Sequence, residues 1–322
     1  MALRIVMMGT GAFALPTFQQ LIESAHDVAG LVTQPDRLGQ GHHQHVNPLK
    51  ELAQAHAIDV FQPEKANAPE SLERLRAFQA DLFVVAAYGQ LLSAELLEIP
   101  RKGAINLHGS LLPKYRGAAP IQYAIWKGET ESGVTIFQIE PKLDAGPMLG
   151  VVKTSIGPKE TSGQLHDRLA ELAAPLTLRV LQELEEGTTQ EISQDASQVT
   201  RSPRIKKEAG LIDWSLPARE IGWHVRAMQP WPMPYSFLHL SGRKPLRLLV
   251  LDVDAMENSP FPPQAQPGAL LAQNGELFVR TGDGAMRINM LQPSGKRAMA
   301  ASDFLRGTPV LQGRLGPEGG IA

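Results

Sequence analysis

Residues 3–14 read Leu-Arg-Ile-Val-Met-Met-Gly-Thr-Gly-Ala-Phe-Ala, and this stretch decides the fold class. A short apolar run ends in a glycine-rich turn, and a helical pattern with Pro16 in its first turn follows. This order predicts a buried β-strand, a tight turn and a helix. A signal peptide is the alternative interpretation, but the apolar run is short and no proper basic region precedes it.

The same alternation continues through the first half of the chain. Further strands are predicted at the apolar runs 28–33, 81–88, 104–108 and 134–139. Strands rich in Val and Ile that alternate with helices indicate an α/β fold with a Rossmann-like, doubly wound parallel sheet. A long helical pattern covers residues 161–186, and Pro175 inside it predicts a kink or a break.

Length and composition describe a globular protein of two domains. The chain has 322 residues, of which 43% are apolar and 20% are charged. Lys and Arg total 31 against 33 for Asp and Glu, and the formal charge of −2 excludes a wholly basic, histone-like nucleic-acid binder. Cysteine is absent, which excludes disulfides, thiolate nucleophiles, iron–sulfur clusters and Cys-type zinc sites. No apolar run reaches the ~18 residues of a membrane span, so we expect a cytoplasmic enzyme that binds no membrane.

The composition changes near the middle of the chain. Residues 188–209 contain only three branched aliphatic residues, Ile192, Val199 and Ile205, and such a segment can bury little. We therefore predict a catalytic domain over 1–189, a linker over 190–209, and a small OB-like β-barrel over 210–322. The barrel is predicted from strand patterns at 246–253, 276–280 and 285–291, which are separated by turns rich in Gly, Pro and Asp.

The turn after the first strand, Gly9–Ala14, formally matches the G-x-G-x-x-A fingerprint of dinucleotide-binding folds. That interpretation would make the chain an NAD-dependent oxidoreductase, and a change in nicotinamide fluorescence on adding protein would support it. The alternative is a tight strand-to-helix turn. The acidic residue expected at the end of the second strand is missing, because Asp36 lies beyond Pro35.

The strongest local signal is residues 106–113, Asn-Leu-His-Gly-Ser-Leu-Leu-Pro. Asn106 and His108 lie two positions apart at the end of a predicted strand, so their side chains share one side. Active sites of open α/β sheets lie at this end of the strands. An amide and an imidazole placed together can donate hydrogen bonds to an oxyanion, or handle a proton at neutral pH. The alternative is a buried histidine with a purely structural role.

A third candidate is Asp144, in the stretch Leu-Asp-Ala-Gly-Pro at 143–147. An aspartate in such a loop is often only a turn former. It follows the neighbouring predicted strand, however, where its carboxylate could reach His108 and hold its tautomer. No G-x-S-x-G nucleophile elbow is present, which argues against a covalent serine mechanism. Asn106, His108 and Asp144 are therefore the predicted catalytic residues, and together they suit direct transfer between two bound substrates.

These motifs, with the run Arg-Gly-Ala-Ala-Pro-Ile-Gln at 116–122, resemble the folate-dependent formyltransferases. The stretches Leu-Ile-Asp-Trp-Ser at 211–215 and Pro-Trp-Pro at 230–232 are similar to members that act on an aminoacylated tRNA. The resemblance covers nearly the whole chain. It implies 10-formyltetrahydrofolate as a cosubstrate, no metal, and the α-amine of methionine on initiator tRNA as the acceptor, for translation initiation.

The resemblance also implies roles for the site residues. Asn106 and His108 would stabilise the oxyanion of a tetrahedral intermediate, while Asp144 would orient His108 and help move the amine proton. The folate site would be lined by Ser110, Leu111, Leu112 and Pro113, and the pterin would enter an apolar pocket near 85–92.

Basic residues predict how a tRNA is held. Lys206 and Lys207 lie in the predicted linker, and Arg37, His42 and His43 lie in a loop where the family usually carries Lys and Arg. If those histidines contact phosphate, tRNA binding weakens as pH rises; a solvated loop or a stray metal site is the alternative. Six bases lie near the C-terminus: Arg280, Arg287, Lys296, Arg297, Arg306 and Arg314.

Several interpretations stay open. A solvated barrel face would explain the same basic charges without any RNA. A formyltransferase or decarboxylase acting on a nucleotide sugar would share the same catalytic residues but would have no need of a basic barrel. A non-catalytic RNA-binding module is a further rival, which consumption of the folate donor would exclude. We expect the chain to act as a monomer.

Overall fold

The computed structural model describes residues 2–36, 47–310 and 313–320. The predicted tRNA contacts Arg37, His42 and His43 lie outside these described residues. Contacts divide the chain into two compact units. The first contains residues up to 120, 131–155 and 165–203; the second contains 121–130, 156–164 and the chain from 204 onward. The predicted boundaries at 189/190 and 209/210 stay predictions.

The chain up to residue 203 alternates strands and helices. Its elements are β1 (Arg4–Gly9), α1 (Leu15–Glu23), β2 (Asp27–Val32), α2 (Pro48–Ala55), β3 (Val60–Phe61), α3 (Pro69–Ala77), β4 (Leu82–Ala86), α4 (Ala94–Leu97), β5 (Ala104–His108), β6 (Arg116–Gly117), α5 (Pro120–Trp126), β7 (Glu131–Gln138), β8 (Met148–Ser155), α6 (Ser162–Glu186) and β9 (Arg201–Ser202). Within the part of the chain that the structure describes, no helix is both long and apolar enough to cross a bilayer.

The first unit is built on a seven-stranded sheet with the order β3-β2-β1-β4-β5-β7-β8. Strands β1 to β5 pair in parallel, which confirms the predicted Rossmann-like sheet. β1 and β4 are almost wholly buried, as expected for central strands of a covered sheet. In this sheet β2 lies on one side of β1, and β4, which comes later in the chain, lies on its other side. This change of direction opens a crevice at the carboxyl ends of β1 and β4.

Three details differ from the sequence prediction. The run 134–139 lies in β7, but β7 pairs antiparallel with β5, so it does not continue the parallel series. β8, which pairs antiparallel with β7, was missed, because Gly150 interrupts its short apolar run and polar residues follow from Lys153. Of the two outcomes predicted at Pro175, a kink or a break, the break is wrong, since α6 continues through this residue to Glu186, and the kink stays a prediction.

From residue 204 onward, most elements are antiparallel strands. They are α7 (Ala218–Ala227), β10 (Tyr235–His239), β11 (Leu246–Ala255), β12 (Leu270–Gln273), β13 (Glu276–Arg280), β14 (Ala285–Pro293), β15 (Met299–Ala300), α8 (Ala301–Gly307) and β16 (Arg314–Gly316). The strand order is β12-β13-β14-β11-β10-β16.

The second sheet closes on itself. The amide of Leu270 donates to the carbonyl of Gly313 at 3.0 Å, and the amide of Leu315 donates to the carbonyl of Gly268 at 2.7 Å. These bonds join the β12 edge to β16, which already pairs with β10. Closure leaves few unpaired strand edges and encloses an apolar core that includes Trp214 and Phe304. The predicted C-terminal barrel is therefore confirmed.

Candidate active site

Strand β5 carries Asn106 and His108 to the carboxyl edge of the parallel sheet. Asn106 pairs in register with Val85 of β4 and with Phe137 of β7, and His108 pairs with Thr135 of β7, so strand pairing fixes both positions. Asn106 is half-buried, and no described residue makes a hydrogen bond with its side-chain amide. His108 is buried, with 5% of its surface exposed. The amide of Asn106 therefore retains its donors for a ligand.

The tautomer of His108 is set by a backbone carbonyl. Its Nε2 lies 2.9 Å from the carbonyl oxygen of Tyr115. Because a carbonyl can only accept, Nε2 carries the hydrogen and Nδ1 of the neutral ring has a lone pair. Burial lowers the pKa of His108, and the nearby carboxylate of Asp144 partly opposes this effect. The imidazole is therefore neutral at pH 7.

Asp144 lies near His108 without binding it directly. Its Oδ2 is 3.8 Å from Nδ1 of His108, which is longer than a hydrogen bond. The same oxygen accepts a hydrogen bond of 2.7 Å from the backbone amide of Gly117. The expectation that Asp144 holds the tautomer of His108 is thus not met, because the carbonyl of Tyr115 sets that tautomer. The carboxylate is placed instead to stabilise a positive charge on the ring.

The loop after β5 is held by one hydrogen bond within the loop and one to β7. The hydroxyl of Ser110 donates to the carbonyl of Lys114 at 2.7 Å, and the amide of Leu112 donates to the hydroxyl of Thr135 at 3.1 Å. Leu112 is buried, Leu111 is half-buried, and the peptide before Pro113 is cis. The hydroxyl of Ser110 is therefore engaged within the loop, and the assignment of 110–113 to folate binding stays a prediction.

The crevice between β1 and β4 has its own polar network. The side-chain amide of Gln34 donates to the carbonyl of Tyr88 at 3.0 Å, and the backbone amide of Gln34 donates to the hydroxyl of Thr10 at 3.2 Å. The hydroxyl of Tyr88 is buried and has no partner among the described residues. Burial raises the pKa of Tyr88 to about 12, so this hydroxyl remains a neutral donor.

Packing explains the first glycine of the turn that resembles a dinucleotide fingerprint. A Cβ at Gly9 would lie 2.9 Å from the Cβ of Ala14 and 3.1 Å from the carbonyl oxygen of Ala86. Only glycine allows this close approach between the strand and the following turn. The tight-turn interpretation therefore accounts for Gly9 without a bound dinucleotide.

Known protein families match the two parts of the chain in order. A family description named formyl transferase matches residues 3–181, and one named formyl transferase, C-terminal domain, matches 204–309. A methionyl-tRNA formyltransferase from Methylococcus capsulatus is 44% identical over 98% of this chain and 100% of its own length. One from Magnetococcus marinus is 43% identical over 98% of this chain and 99% of its own length. The chain belongs to the methionyl-tRNA formyltransferase family.

Solved structures share the fold of this formyltransferase family member at low identity. An N-formyltransferase from Helicobacter canadensis, in complex with folinic acid and a dTDP-linked amino sugar, has a TM-score of 0.64 and 16% identity. It covers 89% of this chain and 98% of its own. HypX from Aquifex aeolicus, in complex with tetrahydrofolic acid, has a TM-score of 0.61 and 17% identity and covers 95% of this chain and 47% of its own.

Sequence reasoning missed Gln194, which the structure places against the site of this formyltransferase. Its side-chain nitrogen donates to the carbonyls of Asp144 at 2.9 Å and Gly146 at 2.8 Å. Its side-chain oxygen accepts from Nε and Nη2 of Arg116 at 3.1 and 2.7 Å. Gln194 thus joins the Asp144 loop to the segment after β5. A polar residue in a segment without apolar runs gave no signal of this role.

The basic residues of the second unit are not equivalent. Arg287 is paired with Asp254 and Glu276, and Arg306 is paired with Asp303. The predicted tRNA contacts Lys206 and Lys207 are exposed and make no ion pair with any described residue.

The hairpin of β10 and β11 holds three more basic side chains, Arg243, Lys244 and Arg247, which we call the hairpin cations. Across the described parts of the chain, none of them makes an ion pair. Arg247 lies over the ring of Tyr235, 4.1 Å from its centroid. The stretch from Tyr235 to Leu251 contains no acidic residue. The hairpin cations, Lys206 and Lys207 therefore carry free positive charge, as do the exposed Lys296 and Arg297, whereas Arg287 and Arg306 are paired.

Proposed function

We propose that this chain transfers the formyl group of 10-formyltetrahydrofolate to the α-amine of methionine on initiator tRNA. The observation that carries the proposal is the full-length likeness, at 43–44% identity, to relatives named methionyl-tRNA formyltransferase. The paired Asn106 and His108 at the carboxyl edge of the sheet, with Asp144 beside them, support it. We also infer a cytoplasmic reaction, since aminoacylated tRNA is made and used there. The expected monomer and the expected lack of a metal stay predictions.

In this proposal His108 acts through Nδ1. Its Nε2 hydrogen is engaged with the carbonyl of Tyr115, so Nδ1 is the ring nitrogen that can accept a proton. The attacking amine loses a proton as its bond to the formyl carbon forms, and Nδ1 takes that proton. The ring becomes an imidazolium, and the carboxylate of Asp144 at 3.8 Å stabilises its charge. Nδ1–H can then return the proton to the leaving nitrogen.

Asn106 is proposed to stabilise charge on the formyl oxygen. Its amide has no partner among the described residues, and its strand position fixes it before the substrate arrives. A donor that is already oriented needs no reorganisation when negative charge develops, which is why such donors contribute strongly to rate.

The residues of the β1–β4 crevice fit a bound folate. Tyr88 presents a buried hydroxyl without a described partner, and a polar ring system can supply one. Ala87 and Gly89 have φ angles of 49° and 83°, so the backbone after β4 turns sharply at this edge. When bound, the folate supplies the formyl group and the leaving nitrogen. The residues that would hold it are those at 85–92 and 110–113.

The tRNA is proposed to bind the second unit through Lys206, Lys207 and the hairpin cations. RNA phosphates attract cations that are not already neutralised by carboxylates. A guanidinium that stacks on an aromatic ring, as Arg247 does on Tyr235, keeps its in-plane N–H donors available for phosphate. Arg37, His42 and His43 stay predicted contacts.

One assay tests the proposed function. Purified protein is mixed with methionyl-tRNA, with or without 10-formyltetrahydrofolate, and the formyl-methionyl product is measured after hydrolysis of the tRNA ester. A parallel reaction contains a nucleotide-linked amino sugar in place of the tRNA. Product should form only with the tRNA and the donor together. Formylation of the sugar, with none of the tRNA, would overturn the proposal.

A further inference from the structure

Tyr115 has a backbone conformation that its side chain does not favour. Its φ is 61°, in the left-handed region that non-glycine residues adopt rarely. Such conformations persist only where the surroundings over-determine them. Tyr115 is also the residue whose carbonyl sets the tautomer of His108. The contacts that hold Tyr115 in place therefore also control the tautomer of His108.

Two hydroxyls from the segment around β9 hold Tyr115. Its backbone amide donates to the hydroxyl of Thr200 at 2.8 Å, and its carbonyl accepts from the hydroxyl of Ser202 at 2.8 Å. The carbonyl therefore accepts two hydrogen bonds, one from Ser202 and one from His108. Ser202 is fully buried and Tyr115 is 8% exposed, so water cannot easily replace the bond between the Ser202 hydroxyl and the Tyr115 carbonyl.

Backbone pairing fixes the two hydroxyls in turn. β9 pairs in parallel with β6, and the amide of Arg116 donates to the carbonyl of Thr200 at 2.9 Å. The amide of Ala118 donates to the carbonyl of Ser202 at 2.8 Å. A Cβ at Gly117 would lie 2.6 Å from the carbonyl oxygen of Ser202, so the two segments approach as closely as glycine permits. The family description that matches the catalytic half ends at residue 181, well before this segment.

We propose that Thr200 and Ser202 are positioning residues for His108. They hold the peptide groups of Tyr115 so that its carbonyl binds Nε2–H and leaves Nδ1 free to accept a proton. The inference rests on the proposed function for the meaning of that proton transfer. Its structural part, control of the His108 tautomer, stands independently of any substrate.

The tautomer can be measured directly. In protein labelled with ¹⁵N, imidazole nitrogen shifts distinguish an Nε2–H ring from an Nδ1–H ring, and the His108 signals are assigned by their loss in His108→Gln. We expect one Nε2–H tautomer in the unmodified protein. Thr200→Val, which removes the acceptor hydroxyl from an exposed side chain of the same shape, should give a mixture of tautomers. Ser202→Ala should do the same.

Activity provides the second measurement. Loss of one hydroxyl should lower kcat about tenfold, the order expected for one hydrogen bond, while KM for the formyl donor changes less than about twofold. Thr200→Ser keeps the hydroxyl and should restore both tautomer and rate. Ser197→Ala, a matched change at an exposed serine of the same segment, should alter neither.

The outcomes separate this inference from the proposed function. If Ser202→Ala does not fold, the Thr200 variants alone test the positioning role. A pure Nε2–H ring in Thr200→Val, together with an unchanged kcat, would overturn the positioning role. If the unmodified protein formylates no methionyl-tRNA, the proposed function fails, but the tautomer measurement still tests the control of His108.

Discussion

The Nδ1 atom of His108 lies 3.8 Å from Oδ2 of Asp144, although both side chains are nearly buried. The gap is too long for a hydrogen bond and too short for water to screen the charge. The carboxylate therefore acts on the imidazole through its field, and orientation of the ring falls to the carbonyl of Tyr115. In the proposed mechanism, separating these two tasks would let the neutral ring accept a proton and then be stabilised as a cation.

The first prediction concerns the two β5 side chains. Asn106→Ala and His108→Ala should each lower kcat by roughly two to four orders of magnitude, the range for lost oxyanion donors and acid–base groups. Affinity for the folate donor should change much less. Steady-state formylation and donor titration measure the two quantities. His56→Ala, at an exposed histidine after α2, is the control. A His108→Ala enzyme that keeps more than about a tenth of kcat would rule out the proposed role.

The second prediction is a pH dependence. Burial lowers the pKa of His108, so the reactive neutral form predominates above the usual value near ~6.5 and is lost as pH falls through the lowered pKa. The carboxylate of Asp144 raises that pKa, so Asp144→Asn should lower it further. The acidic limb of kcat/KM should therefore move to lower pH in Asp144→Asn, while kcat on the plateau falls.

The comparison between unmodified and Asp144→Asn enzymes also controls for the substrate. The acceptor amine titrates too, but identically in both proteins, so only the difference between the profiles reports on His108. Coinciding acidic limbs would show that Asp144 does not act on the imidazole.

The third prediction concerns the loop that carries Asp144. A Cβ at Gly146 would lie 1.8 Å from the carbonyl oxygen of Gln138, so Gly146→Ala must displace the loop. We expect a loss of formylation activity and a lower Tm, with a destabilisation of about 1–3 kcal/mol, typical of overpacking. Gly307→Ala, where an added Cβ meets nothing within 4 Å, serves as the control for Tm and activity. Full activity in Gly146→Ala would contradict a fixed loop.

The fourth prediction tests the proposed tRNA surface. Affinity for methionyl-tRNA should fall steeply between ~50 and ~200 mM salt, because bound phosphates release their counterions. Replacing Arg243 and Lys244 by Gln should flatten the slope of log Kd against log salt by about one unit for each phosphate that is no longer bound. Replacing Lys206 and Lys207 by Gln should flatten this slope in the same way.

Arg306→Gln provides the contrast, since this side chain is paired with Asp303 and should affect the slope less. Equal effects from Arg306 and the hairpin cations would mean that only net charge matters. An unchanged slope in the Arg243/Lys244 variant would remove the hairpin from the binding surface.

Much of this architecture could be predicted from the sequence, because burial leaves a periodic signal. The run at 104–108 predicted β5 with its correct bounds, and Pro16 in the first turn marked α1. The side-chain period of a strand also predicted that Asn106 and His108 share one side of the sheet. The direction of β7 was not predictable in this way, because a buried strand has the same apolar run whether its neighbour is parallel or antiparallel.

What could not be predicted depends on hydrogen bonds between distant segments. Gln194, Thr200 and Ser202 are short or polar side chains in a stretch with little to bury, which is also the composition of a solvated linker. The pairing of β6 with β9 and the backbone bridge between Met148 and Ile192 bring them against the Tyr115 and Asp144 loops. The tautomer of His108 likewise depends on a carbonyl whose position no residue type specifies.

The second compact unit draws on three separate pieces of the chain. Within it, the ring of Trp126 packs against His224 at 5.6 Å between centroids, and Gly128 lies under the ring of Trp223. A fragment cut at residue 204 would keep α7 and the barrel but leave Trp223 and His224 without these partners. We therefore expect such a fragment to aggregate, and a barrel transplanted between relatives to need residues 121–130 and 156–164 from the same donor.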